Sequence, residues 1–204
     1  MVKSSKLKSV YGHKTVEDQK QIYKDWAETY DAQTTGEFGW MGFKPASAEL
    51  AKRVTDKTSH ILDAGCGTGL SGVALSKVGF TNIEGRDLSP EMLAKAKETG
   101  VYQSLDEIDL THPIKVNEPF DAIFSSGVFG FGPPYPEHLR HLISALKLGG
   151  YAVITVNGKG WVETNWEQKL PKVIEQYGLK LEEQLDIEYL ENEEINGKLL
   201  IFKR

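Results

Sequence analysis

The sequence predicts an α/β fold, a parallel sheet covered by helices on both faces. Three observations predict it. From His60 onward, short apolar runs alternate with stretches of helical spacing. A turn carrying Gly65, Gly67 and Gly69 joins the first apolar run to the helix after it. Two final strand-like runs, about 179–188 and 198–203, look like an antiparallel pair.

The elements follow in order. Thr15 caps a helix expected to run to about Tyr30, with Asp18 in its first turn. Its Ile22–Trp26 and Tyr23–Ala27–Tyr30 spacings give an apolar or aromatic face. Residues 33–44 are glycine-rich and carry Phe38, Trp40 and Phe43; Pro45 then opens another helix, with Ala48, Ala51 and Val54 near one face. His60–Ala64 is the first strand, Leu70–Val78 has helical spacing, and Asn82–Arg86 is the second strand. Ser89 caps a helix with Pro90 at its first position, where a missing N–H costs nothing, and Gly100 ends it. The third strand lies somewhere in Val101–Leu110, and Phe120–Ser125 is the fourth. Leu139, Leu142, Ile143 and Leu146 repeat at i, i+3, i+4, i+7, an amphipathic helix that Gly149-Gly150 is expected to end. Tyr151–Asn157 is the fifth strand, and a helix spans about Asn165–Tyr177, where Pro171 is expected to kink or split it.

Strand, glycine turn and helix make a nucleotide cradle, because backbone without a Cβ takes positive φ and approaches a ligand closely. Gly67, Gly69 and Gly72 satisfy the G-x-G-x-x-G dinucleotide pattern, with Asp87 at a plausible distance for a ribose. Ligand charge separates the readings. Asp63, expected at the mouth of the turn, would repel the pyrophosphate of NAD. It would attract the ammonium and sulfonium of S-adenosylmethionine (SAM).

Asp63-Ala64-Gly65-Cys66-Gly67-Thr68-Gly69, with Gly85-Arg86-Asp87-Leu88-Ser89-Pro90-Glu91-Met92-Leu93, closely resembles the class I SAM-dependent methyltransferases. The resemblance extends to Asp109-Leu110, Phe120–Ser126 and Leu148-Gly149-Gly150, covering roughly residues 20–157. It implies a Rossmann-like, seven-stranded, mostly parallel sheet with the last strand antiparallel, an N-terminal helical lid, and ligand at the carboxyl ends of the strands. On this reading residues 1–204 are one domain, with 1–58 a helical cap and 59–204 the core. Small enzymes similar to the Williams–Beuren-region methyltransferase share Trp26-Ala27-x-x-Tyr30-Asp31, Gly69-Leu70-Ser71-Gly72 and Gly100-Val101-Tyr102.

The resemblance also distributes roles. Asp63, Gly65, Cys66 and Gly67 form the cofactor loop, and Asp87 accepts from both ribose hydroxyls. Leu88 and Met92 face the adenine. Asp109 with Leu110 resembles the family's adenine pair, with Asp106 and Glu107 as rivals. Ser125 and Ser126 border the sulfonium and the substrate, and Tyr30 supplies a lid contact. Cys66 reads as inert, since the turn takes only small side chains. Tyr23, Trp26, Tyr30, Trp40, Phe129, Phe131, Tyr135 and Trp161 fall in segments placed to cover the strand ends; Phe129, Asn157 and Trp161 are the candidate substrate wall. No nucleophile–base pair emerges, so no catalytic residue is assigned. His138 and His141 lie three apart on a helix without further ligands, so no metal is expected. Gly132-Pro133-Pro134-Tyr135 lacks the Asn or Asp that opens the motif of amino-directed DNA and protein methyltransferases, and it lies late after the fourth strand. That weakens a nucleobase amine as substrate.

Composition bounds the rest. A net charge of −5 argues against a polyanionic partner. One cysteine excludes an intrachain disulfide framework and fits a reducing compartment. Lys3, Lys6 and Lys8 precede no apolar core, so the N-terminus reads as a solvated tail rather than a signal peptide, and no run reaches membrane length. The expectation is a cytoplasmic enzyme that methylates an O, N, S or C atom of a small molecule. Three rivals stand beside it: a SAM-binding subunit or sensor without chemistry, an RNA or protein methyltransferase, and an NAD-dependent oxidoreductase.

Overall fold

The computed structural model describes residues 11–12 and 15–204; the lysine-dotted tail and His13 lie outside the described residues. Among the described residues, seven strands form one sheet: β1 (Ile61–Ala64), β2 (Ile83–Asp87), β3 (Ser104–Glu107), β4 (Phe120–Phe129), β5 (Leu146–Asn157), β6 (Lys180–Leu190) and β7 (Ile195–Lys203). Their order is β3-β2-β1-β4-β5-β7-β6. Pairing is parallel from β3 through β5, and β7 runs antiparallel to both β5 and β6. The fold is the Rossmann-like one that the motifs imply.

Chain order reverses at β1, which has β2 on one side and β4 on the other. Asp63 pairs with Gly85 of β2 and with Phe124 of β4, so the carboxyl ends of all three strands sit side by side. Ligands of open α/β sheets bind at such a reversal.

Alternation along the strands splits the core. Ile61, Ile83, Phe124 and Val153 face α2 (Phe43–Arg53) and α3 (Leu70–Lys77), where Leu50 and Leu75 are buried. Leu62, Ile123 and Ile154 face α5 (Leu139–Ser144) and α7 (Trp166–Tyr177). Each such leucine contributes about 1.5–3 kcal/mol on burial. α4 (Pro90–Glu98) starts as its sequence predicts, the Ser89 hydroxyl accepting from the Met92 N–H at 3.3 Å.

Several elements differ from expectation, β4 running on to Phe129 and β5 starting at Leu146, and four of the differences among the helices have a physical reason. α1 (Val16–Trp26) keeps its Thr15 cap but stops before Tyr30. Its Trp26 indole instead donates to Gln33, and a wide π-helical turn, Ala32–Glu37, follows. Thr34 and Thr35 hydroxyls bond the carbonyls four residues back, a competitor of regular helix. α2 begins two residues before Pro45 and packs on β4 and β5, so this part of the expected cap is a layer over the sheet. α5 ends at Ser144, not at Gly149-Gly150, because Leu146 already pairs with Phe120. α7 runs unbroken through Pro171. Pro171 and Glu167, whose carbonyl loses its usual partner, are both exposed, so the gap in the helix ladder lies on the solvent side.

Candidate functional site

The site grows from the loop after β1. The Gly65 and Cys66 N–H groups both donate to the Arg86 carbonyl, at 2.7 and 3.1 Å, which lashes the loop to β2. Gly65 has φ +78°, and a Cβ there would lie 2.2 Å from Val128 Cγ2 at the end of β4. Gly67 has φ +54° with open space where a Cβ would stand. Its N–H donates to Asp87 Oδ2 at 2.8 Å, and the Ser89 N–H donates to Asp87 Oδ1 at 2.9 Å. Burial nonetheless pushes the Asp87 carboxyl above its usual range. Gly65→Ala is expected to lower stability by about 1–3 kcal/mol through clash and left-handed strain, read as a lower Tm. An unchanged Tm would mean that Val128 yields freely.

Above this loop opens a cleft of about 790 Å³. Tyr30, Gly65, Cys66, Gly67, Asp87, Leu88, Met92, Asp109, Leu110 and Ser126 all border it. Among the three acids that competed for the third-strand role, Asp109 lies in the cleft. Asp106 and Glu107 are exposed on β3, and Glu107 pairs with Lys20. The Asp109 carboxylate accepts from the Thr111 N–H at 2.8 Å and the Thr111 hydroxyl at 2.7 Å, and it meets His112 Nδ1 at 3.0 Å. Burial pushes its pKa up, but these hydrogen bonds outweigh burial and hold it below the usual carboxylate range. Cys66 is buried and its thiol is pushed well up, so it is no nucleophile.

Three expected site residues sit elsewhere. Asp63 is fully buried behind the loop, not at its mouth. Its Oδ2 accepts from Ser71 Oγ at 2.6 Å and Tyr102 Oη at 2.7 Å, while Oδ1 has no hydrogen-bond partner. Burial pushes its carboxyl up to about 7. A group so placed cannot set the charge at the cleft surface. Ser125 is fully buried and donates to the Ala64 carbonyl at 2.8 Å, tying β4 to β1. Trp161, on α6 (Gly158–Glu163), stacks on Trp166 at 5.8 Å within the opposite core. His138 and His141 are likewise structural: His138 Nδ1 accepts from the Tyr135 N–H, and His141 Nδ1 lies 3.3 Å from the Leu110 carbonyl.

A second chamber of about 600 Å³ adjoins the cleft, and the two share Gln19, Tyr23, Tyr30, Trp40, Gly127 and Val128. Phe129 and Asn157 line it, with Tyr11, Trp26, Phe38, Phe131 and Tyr189. Asn157 Oδ1 accepts from the Lys159 and Gly160 N–H groups, and its Nδ2 donates to Tyr11 at 3.4 Å. The helical segment over the site is latched where the Thr68 hydroxyl donates to Asp31. Gln19 and Tyr189 carry no local signal in the sequence, whereas Thr68 lies within the glycine-loop run, which assigns it no role. Tyr189 comes from β6 and reaches the chamber because Trp40 bridges to Leu190.

A family model described as a methyltransferase domain matches residues 43–194. The chain belongs to the methyltransferase-domain family. It is 32% identical over 119 residues to a trans-aconitate 2-methyltransferase of Enterobacter, covering 58% of this chain and 47% of that one. It is 30% identical over 155 residues to human methyltransferase-like protein 27, covering 74% of this chain and 62% of that one. It thus spans about half to three fifths of the length of these curated relatives. A TehB-like SAM-dependent methyltransferase of Corynebacterium glutamicum superposes with TM-score 0.65 at 27% identity, over 90% of this chain and 98% of that one.

SAM is the cofactor of this methyltransferase domain, and the residues present fit it. The charged side chains lining the cleft, among the described residues, are Asp87, Asp109 and Lys20, and Lys20 is paired with Glu107. That surplus of carboxylate suits a sulfonium and an ammonium and opposes a pyrophosphate. Asp87 retains accepting capacity beyond its two amides. Leu88, Met92 and Leu110 supply apolar contact beside it.

Proposed function

We propose that this methyltransferase domain moves the methyl group of SAM to an atom of a small molecule held in the aromatic chamber. One observation carries the reading: the chamber opens into the cofactor cleft around Tyr30 and Trp40 and is walled by ring after ring. Trp26 meets Tyr30 at 4.8 Å and Phe38 at 6.2 Å between ring centroids, and Tyr23 meets Tyr30 at 6.0 Å. Such a wall suits a compact ligand better than an RNA or protein strand.

Bound SAM supplies a methyl group already activated by a cationic sulfur. The chain's part is to bind, orient and dry the reactants. Asp87, its carboxylate fixed by Gly67 and Ser89, would hold the ribose diol. Leu88, Met92 and Leu110, which line the cleft, would pack on the base, and Asp109 would accept from its amine. Tyr30 and Trp40 line the passage between cofactor and acceptor. Orientation and exclusion of water supply roughly 7–11 kcal/mol in favourable cases, so no covalent catalysis is called for. The Trp26-Ala27-x-x-Tyr30-Asp31 run, whose Tyr30 borders both cavities, supports nearer kinship with small enzymes resembling the Williams–Beuren-region methyltransferase. No helix among the described residues is long and apolar enough to cross a membrane. With its single buried cysteine, the domain suits the cytoplasm.

The test pairs calorimetry with turnover. SAM or its demethylated product should bind, and methyl-labelled SAM should lose label to at least one member of a small-molecule library. Binding without transfer to any acceptor would favour a sensor or non-catalytic subunit. Binding of NAD in preference to SAM would overturn the reading.

A further inference from the structure

We propose that the acceptor is an uncharged, flat nitrogen heterocycle, methylated on a ring nitrogen with a free lone pair. The proposal rests on the methyl-transfer reading above and assigns its substrate class.

Charge decides it. Among the described residues, no Asp, Glu, His, Lys or Arg lines the chamber. The charges that act on its rings stand outside: Asp31 and Asp87 beside Tyr23 and Tyr30, and a group around Tyr11. Lys159 Nζ lies 4.9 Å from the Tyr11 ring and pairs with Glu163 at 3.6 Å, and Glu193 adds a further negative charge. An anionic acceptor, whether carboxylate or thiolate, would therefore be desolvated among rings with no side-chain cation to receive it. The tricarboxylate in the name of the Enterobacter relative is such an anion.

A neutral hydroxyl or thiol meets a second obstacle, because it must shed a proton as the methyl arrives. The chamber offers only tyrosines for this. Burial pushes Tyr11 up to about 12 and drives Tyr23, Tyr30 and Tyr189 further in the same direction. None takes up or releases a proton near neutral pH.

A neutral ring nitrogen meets neither obstacle. Its lone pair forms the new N–CH3 bond as the S–CH3 bond breaks, and the electron pair of the broken bond stays on sulfur as a thioether. The positive charge passes from sulfur to nitrogen and is neither created nor lost. Where a second ring nitrogen carries a hydrogen, as in benzimidazole, that proton leaves to water after the transfer. Aromatic faces attract the arriving charge. Tyr23, Trp26 and Tyr30 wall the chamber, and Tyr23 and Tyr30 also border the cleft.

Quinoline and benzimidazole serve as probes, against trans-aconitate, a thiophenol and a phenol, all with the full chain. Binding is read with the demethylated cofactor present, from quenching of Trp26 and Trp40 fluorescence. Transfer is read by mass spectrometry. The expected result is quenching and methylation by the heterocycles, with kcat/KM at least about tenfold above the other classes. Preferred transfer to a carboxylate, thiol or phenol overturns the proposal while leaving the methyltransferase reading intact. Quenching by no heterocycle at millimolar concentration also overturns it. Transfer to no acceptor of any class, with SAM bound, removes both. Tyr23→Leu is expected to lower kcat for quinoline about tenfold, and Tyr23→Phe to keep it within about twofold, since the ring remains. Equal damage from both variants would mean that the hydroxyl acts, and the charge account fails.

Discussion

Asp87→Ala is expected to weaken SAM binding by about 1.5–3 kcal/mol, roughly 10- to 150-fold in Kd, while the fold survives. The carboxylate is proposed to accept from the ribose diol, and bonds to a charged acceptor are the strong ones. Its geometry is preset: Gly67 and Ser89 N–H groups hold one oxygen each, so little ordering is left for the ligand to induce. Alanine removes the acceptor and leaves two N–H groups facing the cleft, where water reaches them. Stability should therefore fall less than affinity. Titration calorimetry with SAM, beside a circular-dichroism melt, separates the two. An unchanged Kd in a folded variant would sink the ribose assignment.

The second large effect is a pH dependence of stability carried by Asp63. Its carboxyl is fully buried and pushed up to about 7, whereas the unfolded chain titrates near 3.8. Between those values the folded chain keeps a proton that the unfolded chain has released. Stability from this group is therefore full below about pH 4, falls as pH rises toward 7, and is level above it. The slope integrates to at most about 4 kcal/mol. Asp87, also raised by burial, pulls the same way. Burial lowers His138 and His141, which pull oppositely as pH falls below about 6.5. The comparison with Asp63→Asn isolates the one group, because asparagine does not titrate. Urea midpoints from pH 5 to pH 8 should move in favour of the variant as pH rises. Parallel profiles would mean that Asp63 is ionised throughout.

The difference between what was legible and what was not follows from range. The Ser89–Pro90 helix start, the glycine loop and the Asp87 carboxylate are local features. Each is decided by φ, by a missing Cβ or by a hydrogen bond within the two strand ends, and each reads directly from residue type and spacing. Asp63 and Ser125 were expected at the ligand because they end strands. Which face of a strand end a side chain takes depends on register with neighbours 20 to 60 residues away. The register buries Asp63 against Tyr102 and Ser71, and Ser125 against Ala64. Trp161 was expected at the substrate for its ring and its position after the fifth strand. The short helix α6 turns it to Trp166 instead.

The amino-acid order by itself determined the alternating architecture, the loop and the acid beside it. These rest on backbone preferences and contacts that chain neighbours supply. Only the folded molecule decided the character of the acceptor chamber. Its rings come mainly from α1, the residues flanking the π-helical turn, β4 and β6, and a cavity lined by no charged side chain among the described residues exists only once those distant segments meet. Burial then fixes the proton on every tyrosine there, an effect of desolvation that no isolated stretch of chain possesses.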